Sequence, residues 1–116
     1  FEFFYVHIKK TDTMGEDGNF EGKVHVIEEV DAALPMLTAL QPDVLIVTGD
    51  HSTPAALKSH SWHPVPTLLW SQWTRGEGGV KFGERDCRAG QWGEFHATSI
   101  MSEALGQAGK LARYGA

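Results

Sequence analysis

Residues Val44–His63 read VLIVTGDHSTPAALKSHSWH, and the sequence on both sides is organised around this stretch. Its apolar beginning ends at Gly49, Asp50 and His51 follow directly, and His60 comes nine residues after His51. This pattern predicts a buried strand whose end carries a carboxylate and two imidazoles. In an open α/β sheet, the residues that carry out chemistry lie outside the carboxyl ends of the strands. We therefore predict an α/β fold with a functional site at the end of this strand.

The sequence before this stretch predicts a strand, a loop and a helix. Phe1–Ile8 is almost continuously apolar, which is typical of a strand buried on both faces of a parallel sheet. Lys9–Asn19 is polar and contains two glycines, which favours a loop. From Phe20 the apolar residues recur every three or four positions, which indicates a helix with Asn19 as its N-cap. Pro35 should kink or split that helix near its end.

A strand, a helix and a second strand in this order make a βαβ unit. Asp43–Thr48 is the second strand, so we expect it to lie parallel to the first, with a right-handed crossover. Further along, Val65–Trp70 predicts a third short strand, Ser71–Gly93 is glycine-rich and irregular, and Thr98–Ala112 predicts a last helix that begins at Thr98. The expected fold class is α/β with a mostly parallel sheet.

Length and composition limit the class of protein. The 116 residues suffice for a single domain, and 41% hydrophobic with 22% charged residues is typical of a globular chain. The net charge of −5 gives no electrostatic case for binding nucleic acid or an anionic membrane, and no apolar run is long enough to span one. Cys87 is the single cysteine, so no internal disulfide can form, which favours a reducing, cytoplasmic compartment.

The beginning of the chain suggests a piece of a longer protein. Its first residue is Phe1 rather than Met, and strand-like sequence starts at once. We therefore expect residues 1–116 to form a single domain that is a fragment of a longer protein. A partial sheet exposes edges and apolar faces, which gives a fragment of this kind a route to homo-oligomers.

Two groups of ligand-type residues follow the first two predicted strands. One is TDTMGED, which holds Asp12, Glu16 and Asp17, and the other is the Asp50–His51 pair, joined by His60. Loops after parallel neighbouring strands emerge at one edge of a sheet, so we expect the groups to face each other. Carboxylate oxygens mixed with imidazole nitrogens favour a divalent transition metal. Two such ions close together could clamp a phosphoryl group.

Simpler interpretations exist for each group. An Asp-His pair after a strand is often a cap or a loop hydrogen bond, and Glu16–Asp17 alone would usually be a solvated loop. His63 stands between Trp62 and Pro64 and could simply pack. The metal interpretation therefore depends on the two groups meeting in space.

Three motifs resemble a known family. TGDHSTP at Thr48–Pro54, HSWHPVP at His60–Pro66 and VHIKKTDTMGEDGNFEGKV at Val6–Val24 are similar to the C-terminal portion of cofactor-independent phosphoglycerate mutases, in particular the archaeal-type branch. That family belongs to the alkaline phosphatase superfamily. The resemblance implies a three-layer α/β sandwich, two divalent metal ions (Mn²⁺, Zn²⁺ or Mg²⁺) and a serine that becomes phosphorylated. It implies a glycolytic enzyme that interconverts 3-phosphoglycerate and 2-phosphoglycerate.

The resemblance also implies roles for individual residues. Asp50 and His51 would bind one metal, and Asp12 and His60 would bind the other. Glu16 stands where the family usually has a histidine, and it can still supply an oxygen ligand. The nucleophilic serine and the substrate-gripping segment of the family lie upstream, so no catalytic residue is assigned within the chain and the missing N-terminal part is an expected partner. Ser52 is interpreted as a loop serine.

Two other functions remain open at the level of sequence. One is a phosphatase or phosphonate hydrolase of the same superfamily that shares the metal-binding residues. The other is a non-catalytic metal-binding fragment in which Glu16 marks a degenerate site.

Overall fold

The computed structural model describes residues 2–76 and 81–112 of the chain. The chain divides into two compact units, Phe1–Ala39 with His51–His63, and Leu40–Asp50 with Pro64–Ala116. Helices and a small sheet confirm the α/β class, and no helix in the described ranges is long and apolar enough to cross a membrane.

The first unit begins with a helix where the sequence predicted a loop. Helix α1 spans Lys10–Glu16, and its first turn is closed by the Lys9 carbonyl, which accepts from the amides of Asp12 (3.0 Å) and Thr13 (3.3 Å). The loop prediction was wrong because Gly15 was treated as a helix breaker, whereas a single glycine is tolerated in a short helix. Gly18, with φ of +70°, stands in the turn after the helix.

Helix α2 spans Phe20–Thr38, and its predicted N-cap is confirmed. The Asn19 Oδ1 accepts a hydrogen bond from the Gly22 amide at 2.8 Å, a contact of the kind that contributes about 1 kcal/mol to helix stability. Pro35 does not split the helix, which continues one more turn to Thr38. The apolar stripe is only partly covered, since Phe20 is 65% and Ile27 is 52% exposed, and the buried residue of the helix, Val26, lies outside that stripe.

The second unit contains the sheet. Strand β1 spans Val44–Val47 and strand β2 spans Leu68–Ser71, so the second and third predicted strands are confirmed with shorter bounds. The two strands pair antiparallel, with Val44 opposite Ser71 and Val47 opposite Leu68. The sheet of the described residues is therefore antiparallel rather than mostly parallel as expected, and the parallel partner predicted for β1 was a different segment, Phe1–Ile8. A short, continuously apolar run indicates burial but does not by itself fix the direction of the neighbouring strand.

The predicted first strand is also wrong for the residues that the structure describes. Residues 2–8 are exposed and form neither helix nor strand, and Phe1 lies outside the described residues. A strand is completed only by the backbone groups of a neighbour. In the described ranges the bridges join β1 to β2 and Ser52 to Ser61, and none reaches this segment.

The remainder of the second unit is mostly irregular, as predicted, with short helices. Helix α3 spans Glu84–Cys87, and residues 77–80 of the predicted irregular segment lie outside the described residues. A 3₁₀ turn at Ala97–Ser99 leads into helix α4, Ile100–Gln107. The last helix therefore begins later and ends earlier than predicted, and the Thr98 side chain is not its N-cap.

Candidate metal centre

Three ligand-type side chains of the first unit converge. Asp12, on the first turn of α1, offers a carboxylate oxygen, and His51 and His60 each offer a ring nitrogen. These three atoms all lie within 4.8 Å of one another. Residues separated by as many as 48 positions in the sequence therefore meet at one place, as the metal interpretation requires.

A small turn brings His60 back beside His51. Ser52 and Ser61 form an antiparallel bridge, in which the Ser61 amide donates to the Ser52 carbonyl at 2.8 Å. Lys58, with φ of +52°, allows the chain to reverse within this turn. The imidazole rings of His51 and His60 consequently lie with their centroids 3.8 Å apart and their planes tilted by 30°.

Thr53 connects two of the three converging residues. Its hydroxyl donates to Asp12 Oδ1 at 2.6 Å and lies 3.1 Å from His51 Nδ1. The residue is 4% exposed, and its carbonyl oxygen accepts from Lys23 Nζ on α2 at 2.6 Å. Its backbone also packs directly against Gly15 of α1. Thr53 is thereby held from both helices of the unit.

The Asp12 carboxylate has neighbours that favour its ionised form. The hydrogen bond from Thr53 lowers the pKa of Asp12, partial burial opposes this effect, and His51, His60 and Lys9 lower the pKa further. The distances are 3.4 Å from His60 Nε2 to Oδ1 and 3.6 Å from Lys9 Nζ to Oδ2. A carboxylate held in its ionised form is in the protonation state that metal binding needs.

The other predicted ligands occupy different positions. Glu16 lies one helical turn after Asp12, and its Oε1 is 3.6 Å from His60 Nε2, at the margin of the three-residue group. Asp17 is exposed after the end of α1. Asp50 precedes His51 in sequence and is exposed at the end of the segment that follows β1, in the second unit.

Two residues that the sequence left ambiguous have structural contacts. The His63 ring stacks on Trp62 with centroids 5.1 Å apart, in agreement with the packing interpretation. The Ser52 hydroxyl donates to the His63 carbonyl at 3.2 Å, which fits a loop serine.

The donor set fits a divalent transition metal. One carboxylate oxygen and two imidazole nitrogens are the mixed ligands that Mn²⁺, Zn²⁺ and related ions accept, and Glu16 places a second carboxylate nearby. The group is open on one side, because the His60 side chain is 54% exposed while that of Asp12 is 17% exposed. A metal at this position could therefore keep a coordination site for a substrate or a nucleophile.

Sequence reasoning missed the residues that support the group. Thr53 lies within the TGDHSTP motif but has no ligand-type side chain, Gly15 lies in a segment predicted to be a loop, and Lys23 lies on the predicted helix. A hydroxyl two residues after a candidate histidine ligand is a usable signal, since metal-binding histidines usually have an outer hydrogen-bond partner.

Comparison with known proteins confirms the resemblance seen in the motifs. The family model described as the metalloenzyme superfamily matches residues 1–107. Proteins named probable 2,3-bisphosphoglycerate-independent phosphoglycerate mutase are 58% identical in Thermotoga maritima and 54% identical in Thermus thermophilus, over 116 residues. Each alignment covers all of this chain but 29% of the relative, so the chain spans less than a third of the length of these relatives.

A solved structure agrees at the level of the fold. The PH0037 protein from Pyrococcus horikoshii superposes with a TM-score of 0.87 at 31% identity, covering 95% of this chain and 34% of that one. This similarity and the family match are consistent with the predicted alkaline-phosphatase-like α/β fold.

Proposed function

Because the chain belongs to the metalloenzyme superfamily, we propose that Asp12, His51 and His60 bind a divalent metal ion within a longer enzyme that transfers a phosphoryl group. The observation that carries this proposal is the convergence of one carboxylate and two imidazoles within 4.8 Å. The alternative, in which Asp50 and His51 form only a cap or a loop hydrogen bond, does not explain why Asp12 and His60 both approach His51.

The reaction we propose for the longer enzyme is the interconversion of 3-phosphoglycerate and 2-phosphoglycerate through a phosphoserine. Relatives that carry the phosphoglycerate mutase name at 54–58% identity favour this reaction over a superfamily phosphatase or phosphonate hydrolase. A divalent ion, when bound, would make a serine hydroxyl more nucleophilic and offset the charge that develops on the phosphoryl oxygens.

We further propose that two metals share this region, as the family resemblance implies. Asp50 and His51 would bind one ion, while Asp12 and His60, with Glu16 as an additional oxygen ligand, would bind the other. Ions of a two-metal site stand about 3.5–4 Å apart. The proximity of His51 to Asp12 and His60 is compatible with this arrangement, since ligands of neighbouring ions necessarily lie close together.

The residues of this chain supply binding rather than bond-making. Asp12 contributes a negative charge that its neighbours keep ionised, and the two imidazoles contribute lone pairs from ring nitrogens. We propose that residues 1–116 are the C-terminal part of the metal-binding domain and that the nucleophilic serine comes from the N-terminal part of the same protein. A cytoplasmic setting suits the lone thiol of Cys87 and a Mn²⁺-dependent glycolytic reaction.

The 116-residue chain by itself should show no mutase turnover, because it would supply metal ligands without a nucleophile. The measurement is conversion of 3-phosphoglycerate in the presence of Mn²⁺, followed by a coupled assay for 2-phosphoglycerate. A longer homologous mutase, assayed in parallel, serves as the positive control. Turnover by the short chain above the no-enzyme rate would contradict the assignment of the nucleophile to another segment.

The metal assignment is tested by replacing His60 with alanine. Loss of one of three nitrogen and oxygen donors should weaken Mn²⁺ binding at least about tenfold, since even outer-shell changes commonly cost that much. Titration calorimetry with MnCl₂ measures the affinity. His25→Ala is the matched control, because His25 lies exposed on α2 and pairs with Glu29 outside the group. Equal Mn²⁺ affinity in the wild type and in both variants would refute the site.

A further inference from the structure

The hydroxyl of Thr53 touches two of the three proposed metal ligands at once. Its oxygen is 2.6 Å from Asp12 Oδ1 and 3.1 Å from His51 Nδ1. Thr53 is not a ligand-type residue, and its side chain is nearly removed from solvent. The effect of Thr53 on the two ligands therefore depends on which group donates and which accepts in each hydrogen bond.

The number of hydrogen atoms available on these groups decides the direction of both hydrogen bonds. A threonine hydroxyl has one hydrogen to donate, and an ionised carboxylate can only accept. The short contact to Asp12 therefore uses the Thr53 hydrogen, since two oxygens at 2.6 Å without a proton between them would repel. The Thr53 oxygen is left as an acceptor, and the contact with His51 is a hydrogen bond only if Nδ1 carries the hydrogen.

We propose that Thr53 is a positioning residue that fixes the neutral His51 ring as its Nδ1–H tautomer, so that Nε2 is the nitrogen that binds metal. The role of this tautomer in metal binding rests on the proposed metal function. The tautomer itself is a property of the metal-free chain and can be measured without metal. The Thr53 hydroxyl thereby orients a carboxylate and an imidazole together. It accepts a hydrogen bond from His51 and donates one to Asp12.

The surroundings of Thr53 are suited to such a role. Lys23 Nζ donates to its carbonyl at 2.6 Å, and Gly15 lets the backbone of α1 approach it closely. A β-branched side chain has a restricted χ1 angle, so a fixed backbone also fixes the hydroxyl. The hydroxyl therefore keeps its direction without needing a bound ion to hold it.

The decisive measurement is the tautomer of His51 in the metal-free chain. Long-range ¹H–¹⁵N correlation spectra distinguish a protonated Nδ1 from a protonated Nε2 in a neutral imidazole. We expect the Nδ1–H form in the wild type and in Thr53→Ser, which retains the hydroxyl, and a mixture of forms in Thr53→Val, which keeps the shape but loses it. A predominantly Nε2–H His51 in the wild type would overturn the proposal, and this result does not depend on any variant folding.

Metal affinity gives the second readout. Thr53→Val should lower Mn²⁺ affinity about 10–100-fold, the range typical of lost outer-shell partners, whereas Thr53→Ser should stay within about threefold of the wild type. Thr38→Val is the matched control, because Thr38 lies exposed at the end of α2, far along the chain from the group. Affinity unchanged in Thr53→Val but reduced in His60→Ala would overturn the role of Thr53 while leaving the metal site intact. Absence of Mn²⁺ binding by the wild type would instead refute the proposed function, and the tautomer would still decide the proposal for Thr53.

Discussion

Replacing Gly15 with alanine is expected to destabilise the chain by about 1–3 kcal/mol, the usual cost of overpacking. An added Cβ would overlap the Thr53 carbonyl oxygen and would lie 2.9 Å from its Cγ2 and 3.1 Å from its Cβ. The obstacle is backbone rather than the end of a flexible side chain, so α1 and Thr53 must separate. Asp12 is carried on α1 and bonded to Thr53, and Mn²⁺ affinity should fall together with stability.

The sign of this effect makes the experiment informative. In an ordinary helix interior, glycine to alanine stabilises by roughly 0.5–1 kcal/mol, because alanine restricts the unfolded chain and favours the helix. Urea unfolding of Gly15→Ala should show the opposite sign. Gly83→Ala is the control, since an added Cβ there meets nothing within 4 Å and the backbone is extended at φ of −168°. A Gly15→Ala chain as stable as the wild type would show that α1 and Thr53 do not pack as described.

The elements that could be predicted from sequence are those with a long or unambiguous pattern. Helix α2 has nineteen residues, a repeating apolar period and an Asn19 cap, and β1 is a compact apolar run closed by glycine. Helix α1 has seven residues, too few to establish a period, and it contains Gly15. It packs against Thr53, a residue 38 positions further along the chain than Gly15, and this contact cannot be read from the local sequence.

The direction of the strands could not be predicted from the apolar pattern of the sequence. The order strand, helix, strand favours a parallel pair only if both strands are present and adjacent. Residues 2–8 are apolar but form no strand, and β1 pairs instead with β2 in the antiparallel sense. Apolar composition predicted a buried β1, and its four residues are half-buried, whereas the choice of partner strand depends on which segments lie beside it in three dimensions.

Some residues of the candidate site could be predicted from sequence and others could not. Asp12, His51 and His60 could be proposed from sequence because carboxylates and imidazoles are recognisable as ligand types and because the motifs resemble a known family. Thr53 could not, since its importance lies in touching Asp12 and His51 at once. The structure also places one ligand atom each of Asp12, His51 and His60 within 4.8 Å of one another, a proximity that the spacing of the motifs alone does not give.

Asp12→Asn should have the largest effect on metal binding, lowering Mn²⁺ affinity by more than about 100-fold. The asparagine keeps the shape and one acceptor oxygen, but it removes the negative charge that faces the cation. Its cost should therefore exceed the 10–100-fold typical of outer-shell changes and the loss in His60→Ala, which removes a neutral donor. Titration calorimetry with MnCl₂ measures both variants side by side, and Asp31→Asn on the exposed face of α2 controls for the loss of one charge.

The same variant tests the environment of the Asp12 carboxylate without metal. The hydrogen bond from Thr53 and the neighbouring basic side chains hold the pKa of Asp12 below its ordinary value, so the ionised form favours the folded chain. That contribution is present above the pKa of the unfolded chain, near pH ~4, and is lost as the pH falls through the lower pKa of the folded chain. The stability difference between the wild type and Asp12→Asn should therefore narrow on acidification in urea unfolding of the metal-free proteins. A stability difference that stays constant between about pH 6 and about pH 2 would mean that the carboxylate has no such partners. The surroundings of Asp12 would then not favour its ionised form.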